Sequence, residues 1–137
     1  YIDTMPRKRV GLIVVPPGVF VDVHEKLAVD FLATKLGYDI TFIAPNRRKG
    51  VKTPDIEMNG SAWEIKCPKG KSSRTIENNL RLALRQSAYI IIDLRRMDGR
   101  IPTAKLLSEI ERRFSDAKII KHIIAITRQE LAVDYKR

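Results

Sequence analysis

The sequence predicts an α/β fold, a single domain in which a mixed central β-sheet is flanked by helices. Three observations carry this expectation. The chain has 137 residues, enough to bury one core and too few for two ordinary ones. Stretches with helical spacing of apolar residues interleave with short β-branched runs, in the approximate order α-β-β-β-α-β-α-β. Hydrophobic residues make up 44% and charged residues 31%, ordinary globular usage that excludes wholesale disorder, collagen and coiled coil.

Charge and composition narrow the partners. Lys and Arg number 26 against 16 Asp and Glu, so the formal charge of +10 points to an anionic partner. The single Cys67 rules out an intramolecular disulfide. The apolar run from Val10 to Phe20 is broken by Pro16, Pro17 and Gly18, so no stretch approaches the roughly 20 residues of a membrane-spanning helix. The first residue is Tyr1 rather than Met and no signal-peptide pattern follows, so the chain is expected to be a fragment of a longer protein or to begin with residues foreign to it.

Residues 1–21 read as an N-terminal arm or strand: a polar stretch ending in Arg7-Lys8-Arg9, the apolar run Val10 to Val15, and the stop Pro16-Pro17-Gly18. Residues 22–137 form the main domain. From Asp22, the apolar positions Val23, Leu27, Phe31 and Leu32 predict a helix that Gly37 ends. Tyr38 to Ala44 suits a strand, and Pro45 to Gly50 an exposed basic loop. Two short strands flank Asn59-Gly60, a strong two-residue hairpin signal. Lys69 to Ser73 is a second basic loop, with Ser72 or Ser73 as cap for a helix that carries Ile76, Leu80, Ala83 and Leu84 on one face. Tyr89 to Leu94 reads as a strand buried on both faces, Thr103 to Phe114 as a third helix, and Ile119 to Ile126 as a final buried strand before a short charged tail.

The hairpin is where chemistry becomes legible. A two-residue turn at Asn59-Gly60 makes Met58 face Ser61, which places Asp55 opposite Glu64. Side chains alternate along a strand, so Lys66 joins Glu64, while Ile56, Met58, Trp63, Ile65 and Cys67 occupy the other face. Two facing carboxylates repel and call for a compensating cation. A divalent metal ion supplies it, with Mg²⁺ favoured and Mn²⁺ or Zn²⁺ as alternatives, and Lys66 is placed to orient a water or meet developing phosphate charge. The plain alternative is a solvated hairpin face on which Lys66 merely pairs with an acid.

Pro54-Asp55, eight intervening residues, then Glu64-Ile65-Lys66 resembles the PD-(D/E)xK pattern of the restriction-endonuclease-like nucleases. That fold has a further acid on the helix before the motif strands. Glu25 is the candidate by this resemblance, beside a His24 better suited to a surface or substrate contact. A longer set, Lys52-Thr53-Pro54-Asp55, Trp63-Glu64-Ile65-Lys66, Pro68-Lys69-Gly70, Arg74 to Leu80, Gln86-Ser87 and Ile90 to Leu94, resembles the C-terminal tRNA-nuclease toxin domain of CdiA contact-dependent inhibition proteins. The resemblance implies a restriction-endonuclease-like core that cleaves nucleic acid with metal. It implies Glu25, Asp55 and Glu64 as ligands, with Lys66 as catalytic lysine. It also implies tRNA as favoured substrate with DNA left open, action in the bacterial cytoplasm, and neutralisation by an immunity protein, expected to be acidic against so basic a chain.

Around this motif Arg47, Arg48, Lys49, Lys52, Lys69, Lys71 and Arg74 bracket the hairpin as candidate phosphate contacts, and Asn79 and Gln86 as candidate cleft-lining residues on the second helix. Trp63 and Cys67 read as core, and His122 as a core or edge histidine. Two other classes stay open. A metal-independent RNase would rest on His24, His122 and loop cations, and a binding module would use the basic loops without cutting.

Overall fold

In the computed structural model, which describes residues 9–46, 48, 50–72 and 74–137, the elements follow one another as β1 Ile13–Val14, α1 Val23–Leu36, β2 Ile40–Phe42, β3 Ile56–Met58, β4 Ser61–Lys66, α2 Arg74–Leu84, β5 Tyr89–Asp93, α3 Thr103–Asp116, β6 His122–Ile126 and β7 Ala132–Lys136. The expectations that fall on Arg7, Lys8, Arg47, Lys49 and Ser73 lie outside the described residues. The strands form one seven-stranded sheet in sequence order. It is mixed: β1–β2, β4–β5 and β5–β6 are parallel, and the remaining pairs are antiparallel.

Local chemistry sets most boundaries. Asp22 caps α1 by accepting from the backbone N–H groups of His24 and Glu25 at 2.9 and 3.2 Å, and Gly37 ends it with a left-handed φ of 74°. Asn59 and Gly60 both take positive φ, 52° and 74°, the signature of a type I′ hairpin turn. The register is the expected one, Met58 on Ser61 and Ile56 on Trp63.

The sheet separates two apolar layers. On one side α1 packs Ala28, Val29, Phe31, Leu32 and Ala33 over Ile56, Met58, Trp63, Ile65 and Ile91. On the other, α2 and α3 bring Ile76, Leu80, Leu106 and Ile110 over Ile90, Ile92, Ile123 and Ala125. Alternation along β5 thus sends Ile91 to one layer and Ile90 and Ile92 to the other, so the strand is buried on both faces as its composition predicts. Trp63 anchors the first layer and its indole N–H donates to the Met58 carbonyl at 3.0 Å.

Four expectations need correction. The segment read as a charged tail contains β7, an antiparallel edge strand in which Val133 and Tyr135 meet the α2/α3 layer. The alternation of Val133-Asp134-Tyr135-Lys136 was the available signal, masked by charge. The strand expected from Ile119 starts at His122, because Ile119 is 64% exposed ahead of the ladder. The strand expected over Tyr38 to Ala44 shortens to Ile40–Phe42, the residues that pair with β3. On α1, Val23 and Leu27 face solvent, 63% and 52% exposed. This helix carries apolar residues around most of its circumference, so spacing alone does not select the buried face.

The described part of the arm is stitched to the sheet. Gly11 N–H donates to the Ala33 carbonyl at 2.8 Å, and Ile40 N–H to the Leu12 carbonyl at 2.8 Å. Arg9 pairs with Asp39 at 2.9 Å. A Cβ on Gly11 would sit 1.7 Å from the Tyr38 carbonyl oxygen, so only glycine allows this approach. Gly11→Ala is expected to lower stability by about 2 kcal/mol or more, read as an earlier urea midpoint with an unchanged slope; an unchanged midpoint would show that the arm does not dock this way.

Candidate active site

Strand β4 changes partners midway. Ser61 to Trp63 pair with β3, whereas Glu64 to Lys66 pair with β5. A crevice therefore opens at the carboxyl end of β4, the place where α/β sheets commonly bind ligands. Asp55 closes its other side: its N–H donates to the Trp63 carbonyl at 2.9 Å, and its carboxylate accepts from the Ile65 N–H at 2.7 Å. The ladder ends with Ile56 on Trp63, and Asp55, just beyond it, lies close enough to Glu64 for the two carboxyls to act on each other.

The charges at this end are crowded. Glu64 is 7% exposed, and its Oε2 lies 3.5 Å from Lys66 Nζ. Its Oε1 is buried without a hydrogen-bond partner. Burial, followed by the Asp55 charge, pushes the Glu64 carboxyl up to about 8, with Lys66 acting against the shift. Burial also raises Asp55, tempered by the Ile65 N–H. The first turn of α1 overhangs the same end, and Glu25 is pushed up to about 7 by burial, then by the charges of Asp55 and Asp22. Of the four residues expected to act together, Asp55 and Lys66 thus act on both Glu25 and Glu64.

The structure adds two further acids to this end of the sheet. Asp22, the α1 cap, adds its charge to Glu25 and Asp55. The signal for it was the Asp-x-x-Glu pattern of a helix N-terminus. Asp93, 4% exposed at the end of β5, pairs with Arg95 at 2.8 Å, and Arg95 reaches on to the Leu27 carbonyl of α1 at 3.1 Å. That strut ties the acid-bearing strand end to α1. Cys67, half-buried, has its thiol pushed up to about 12 by burial, then by Asp93, Glu25 and Asp22, so it stays protonated.

Both basic loops end at this crevice, one running into Asp55 and the other leaving Lys66. Arg48, Lys52, Lys69, Lys71 and Arg74 are exposed there. Gln86 accepts from the Thr53 N–H at 3.1 Å and so pins the first loop, while the Asn79 amide donates to the Thr75 carbonyl of its own helix at 2.8 Å. The Gln86 oxygen and the Asn79 NH₂ are thus used within the chain, one half of each amide. The two histidines are held apart by the length of α1, about 20 Å. His24 lies in its first turn, whereas His122 sits on β6, beside Tyr38 at the far end of α1, with Nε2 2.7 Å from Asp134 and its ring edge-on to Trp63.

Among the described residues no three Asp, Glu, His or Cys side chains are drawn together tightly enough, as they stand, to hold a metal ion. The donor chemistry still suits a hard divalent cation: carboxylate oxygens, one of them buried and unpartnered, in acids that burial and mutual repulsion hold toward their neutral forms.

This is a single α/β domain with a mixed seven-stranded sheet and an acid-lined crevice at one strand end. Residues 52–130, more than half of the chain, match the family described as the contact-dependent growth inhibition CdiA C-terminal domain, and the chain belongs to that family of growth-inhibition toxins. Among solved structures it is similar to a CdiA-CT/CdiI toxin and immunity complex from Burkholderia pseudomallei, with a TM-score of 0.65 and 20% identity over 93% of this chain and 100% of that one. No curated protein matches. Among the described residues no helix is long and apolar enough to cross a membrane.

The raised carboxyls make stability depend on pH. Between the usual carboxylate range and about 8, the folded chain keeps a proton on Glu64 that the unfolded chain has released. Stability therefore falls as pH rises through that window. The melting temperature is expected to drop from pH 5 to pH 8, and Glu64→Gln to flatten the slope. An equal slope in the variant would remove Glu64 as its source.

Proposed function

We propose that this toxin domain is a divalent-metal-dependent endonuclease of the PD-(D/E)xK type that hydrolyses phosphodiester bonds, with tRNA as the favoured substrate. The observation that carries the reading is the convergence of Glu25, Asp55 and Glu64 with Lys66 at the carboxyl end of β4, where Glu64 keeps a buried oxygen unpartnered. A crowd of acids that repel one another costs folding stability, and a bound cation would offset that cost. Asp55, Glu64 and Glu25 would hold the ion. When bound, it supplies Lewis acidity to the scissile phosphate and eases deprotonation of a water.

The chain's own groups do the rest. Lys66 donates from Nζ toward the developing negative charge on the phosphate or toward the attacking water. Arg48, Lys52, Lys69, Lys71 and Arg74 bind flanking phosphates and raise affinity without reading sequence. Cleavage in the cytoplasm of a target cell, after delivery as part of a larger protein, fits a toxin of this family. The fold neighbour was solved with an immunity protein. A partner of that kind, acidic where it covers the basic loops, would neutralise this chain and associate fast.

The histidine-based alternative is disfavoured by the separation of His24 from His122, the latter already paired with Asp134. Incubation of the chain with total tRNA and, separately, plasmid DNA, with Mg²⁺, Mn²⁺ or Zn²⁺ and with chelator, tests the proposal. Cleavage of one substrate is expected with metal, abolished by chelator and reduced by roughly a thousandfold or more in Asp55→Ala and Lys66→Ala. Metal-independent cleavage that survives both changes overturns it, and salt-sensitive binding without cleavage moves the chain to the binding-module class. In binding assays, Lys69→Ala with Lys71→Ala is expected to reduce the dependence of affinity on salt by about two ions. An unchanged slope would take that loop off the substrate path.

A further inference from the structure

Phe20 is 90% exposed, although the residues on either side of it are not. Val19 and Val21 pack against the α1 layer. The segment leaves a tight turn, in which Val19 N–H donates to the Pro16 carbonyl at 3.2 Å and Gly18 takes φ of 79°, the geometry that Pro17 and Gly18 suit at the centre of a type II turn. With Val19 and Val21 both held against that layer, the residue between them is left facing outward. Phe20 is therefore held out on a fixed backbone and not left on a loose one.

Its place in the fold is at the acids. Strand β1 runs parallel to β2 and β2 antiparallel to β3, so the turn after β1 emerges at the end of the sheet where Asp55 stands. Phe20 is two residues before Asp22, whose charge acts on Glu25 and Asp55; two residues span at most about 7 Å. Singly exposed apolar residues are common and need no explanation. A rigidly presented aromatic ring at the rim of a carboxylate crevice, in a chain of charge +10, fits a partner that combines phosphates with flat faces.

We infer that Phe20 is a stacking platform for an unpaired nucleobase beside the scissile phosphate, so that the site prefers single-stranded or looped nucleic acid over continuous duplex. The inference rests on the reading of the crevice as a nucleic-acid site and specifies which form of substrate it takes. Stacking is indifferent to base identity, and it requires a base that has left its helix, since a paired base has both faces covered. Backbone contacts from the loops and stacking from Phe20 would together hold an exposed strand across the acids.

The test separates binding from cleavage. Fluorescence anisotropy in the presence of chelator, so that nothing is cut, compares wild type with Phe20→Ala, Phe20→Leu and Phe20→Trp on three probes: a short single-stranded oligonucleotide, an abasic sugar–phosphate oligomer of the same length, and a fully paired duplex. The alanine and leucine variants are expected to weaken single-strand binding by roughly tenfold, and Phe20→Trp to retain it. On the abasic oligomer and the duplex all four proteins are expected to bind alike. Equal binding of every variant to the single strand overturns the inference, as does an equal loss on the abasic oligomer. Melting temperatures within a degree or two of wild type, expected for so exposed a side chain, keep misfolding out of the comparison. Because no cleavage is read, failure of the nuclease assay and failure of this stacking assay are separate results.

Discussion

The confinement of carboxyl groups at the carboxyl end of β4 is the constraint around which the rest of the structure is arranged. Glu64 is buried, Asp55 is held beside it by backbone bonds to Trp63 and Ile65, and Glu25 and Asp22 overhang from α1. Such a group is unfavourable by itself, since burial and like charge both disfavour ionisation. The surrounding chain supplies the counterweights that it can. Lys66 stands 3.5 Å from Glu64, the Ile65 N–H caps Asp55, and Arg95 neutralises Asp93. They leave one Glu64 oxygen without a partner.

The change of partner in β4 creates the space for this. A strand paired on both sides along its whole length would offer no opening between neighbours. Here β3 stops at the level of Trp63, and β5 begins its pairing at Glu64. The apolar face of the same strand meanwhile points Trp63 and Ile65 into the α1 layer, which fixes the strand's height and twist against the helix that carries Glu25. Core packing and the acidic crevice are thus two faces of one six-residue strand. The Arg95 strut and the Gln86 bond to Thr53 extend the same logic outward, holding α1 and the loop before Asp55 in place by single polar contacts.

Much of this was legible in the residues themselves. Asp22 and Gly37 bound α1, Asn59-Gly60 set the hairpin register from Met58 on Ser61 to Ile56 on Trp63, and the Ile-Ile-Ile run of β5 announced a strand covered on both sides. These signals succeed because they are local: a cap, a turn with two positive φ values and a period of two each involve a few neighbouring residues. The misses share the opposite character. β7 is a strand only because β6 offers it an edge, and its charged residues hide its alternation. The exposed Val23 and Leu27 follow from which side of α1 meets the sheet, which no helical period specifies when apolar residues surround the axis. Gln86, placed on the second helix by sequence spacing, lies beyond the Leu84 end of α2, where its oxygen accepts from the Thr53 N–H.

The sequence by itself determined the α/β class and the hairpin register, because these depend on backbone chemistry within a short span. Only the tertiary structure decided that the first turn of α1 comes to the same end, that Asp22 and Asp93 join the acids, that the two histidines stay at opposite ends of α1, and that Phe20 projects between two anchored valines. Those placements depend on how distant segments share two apolar layers and one sheet. Burial at such junctions is a property of the packed molecule, and it is burial that turns ordinary carboxylates into the raised, crowded group at the end of β4.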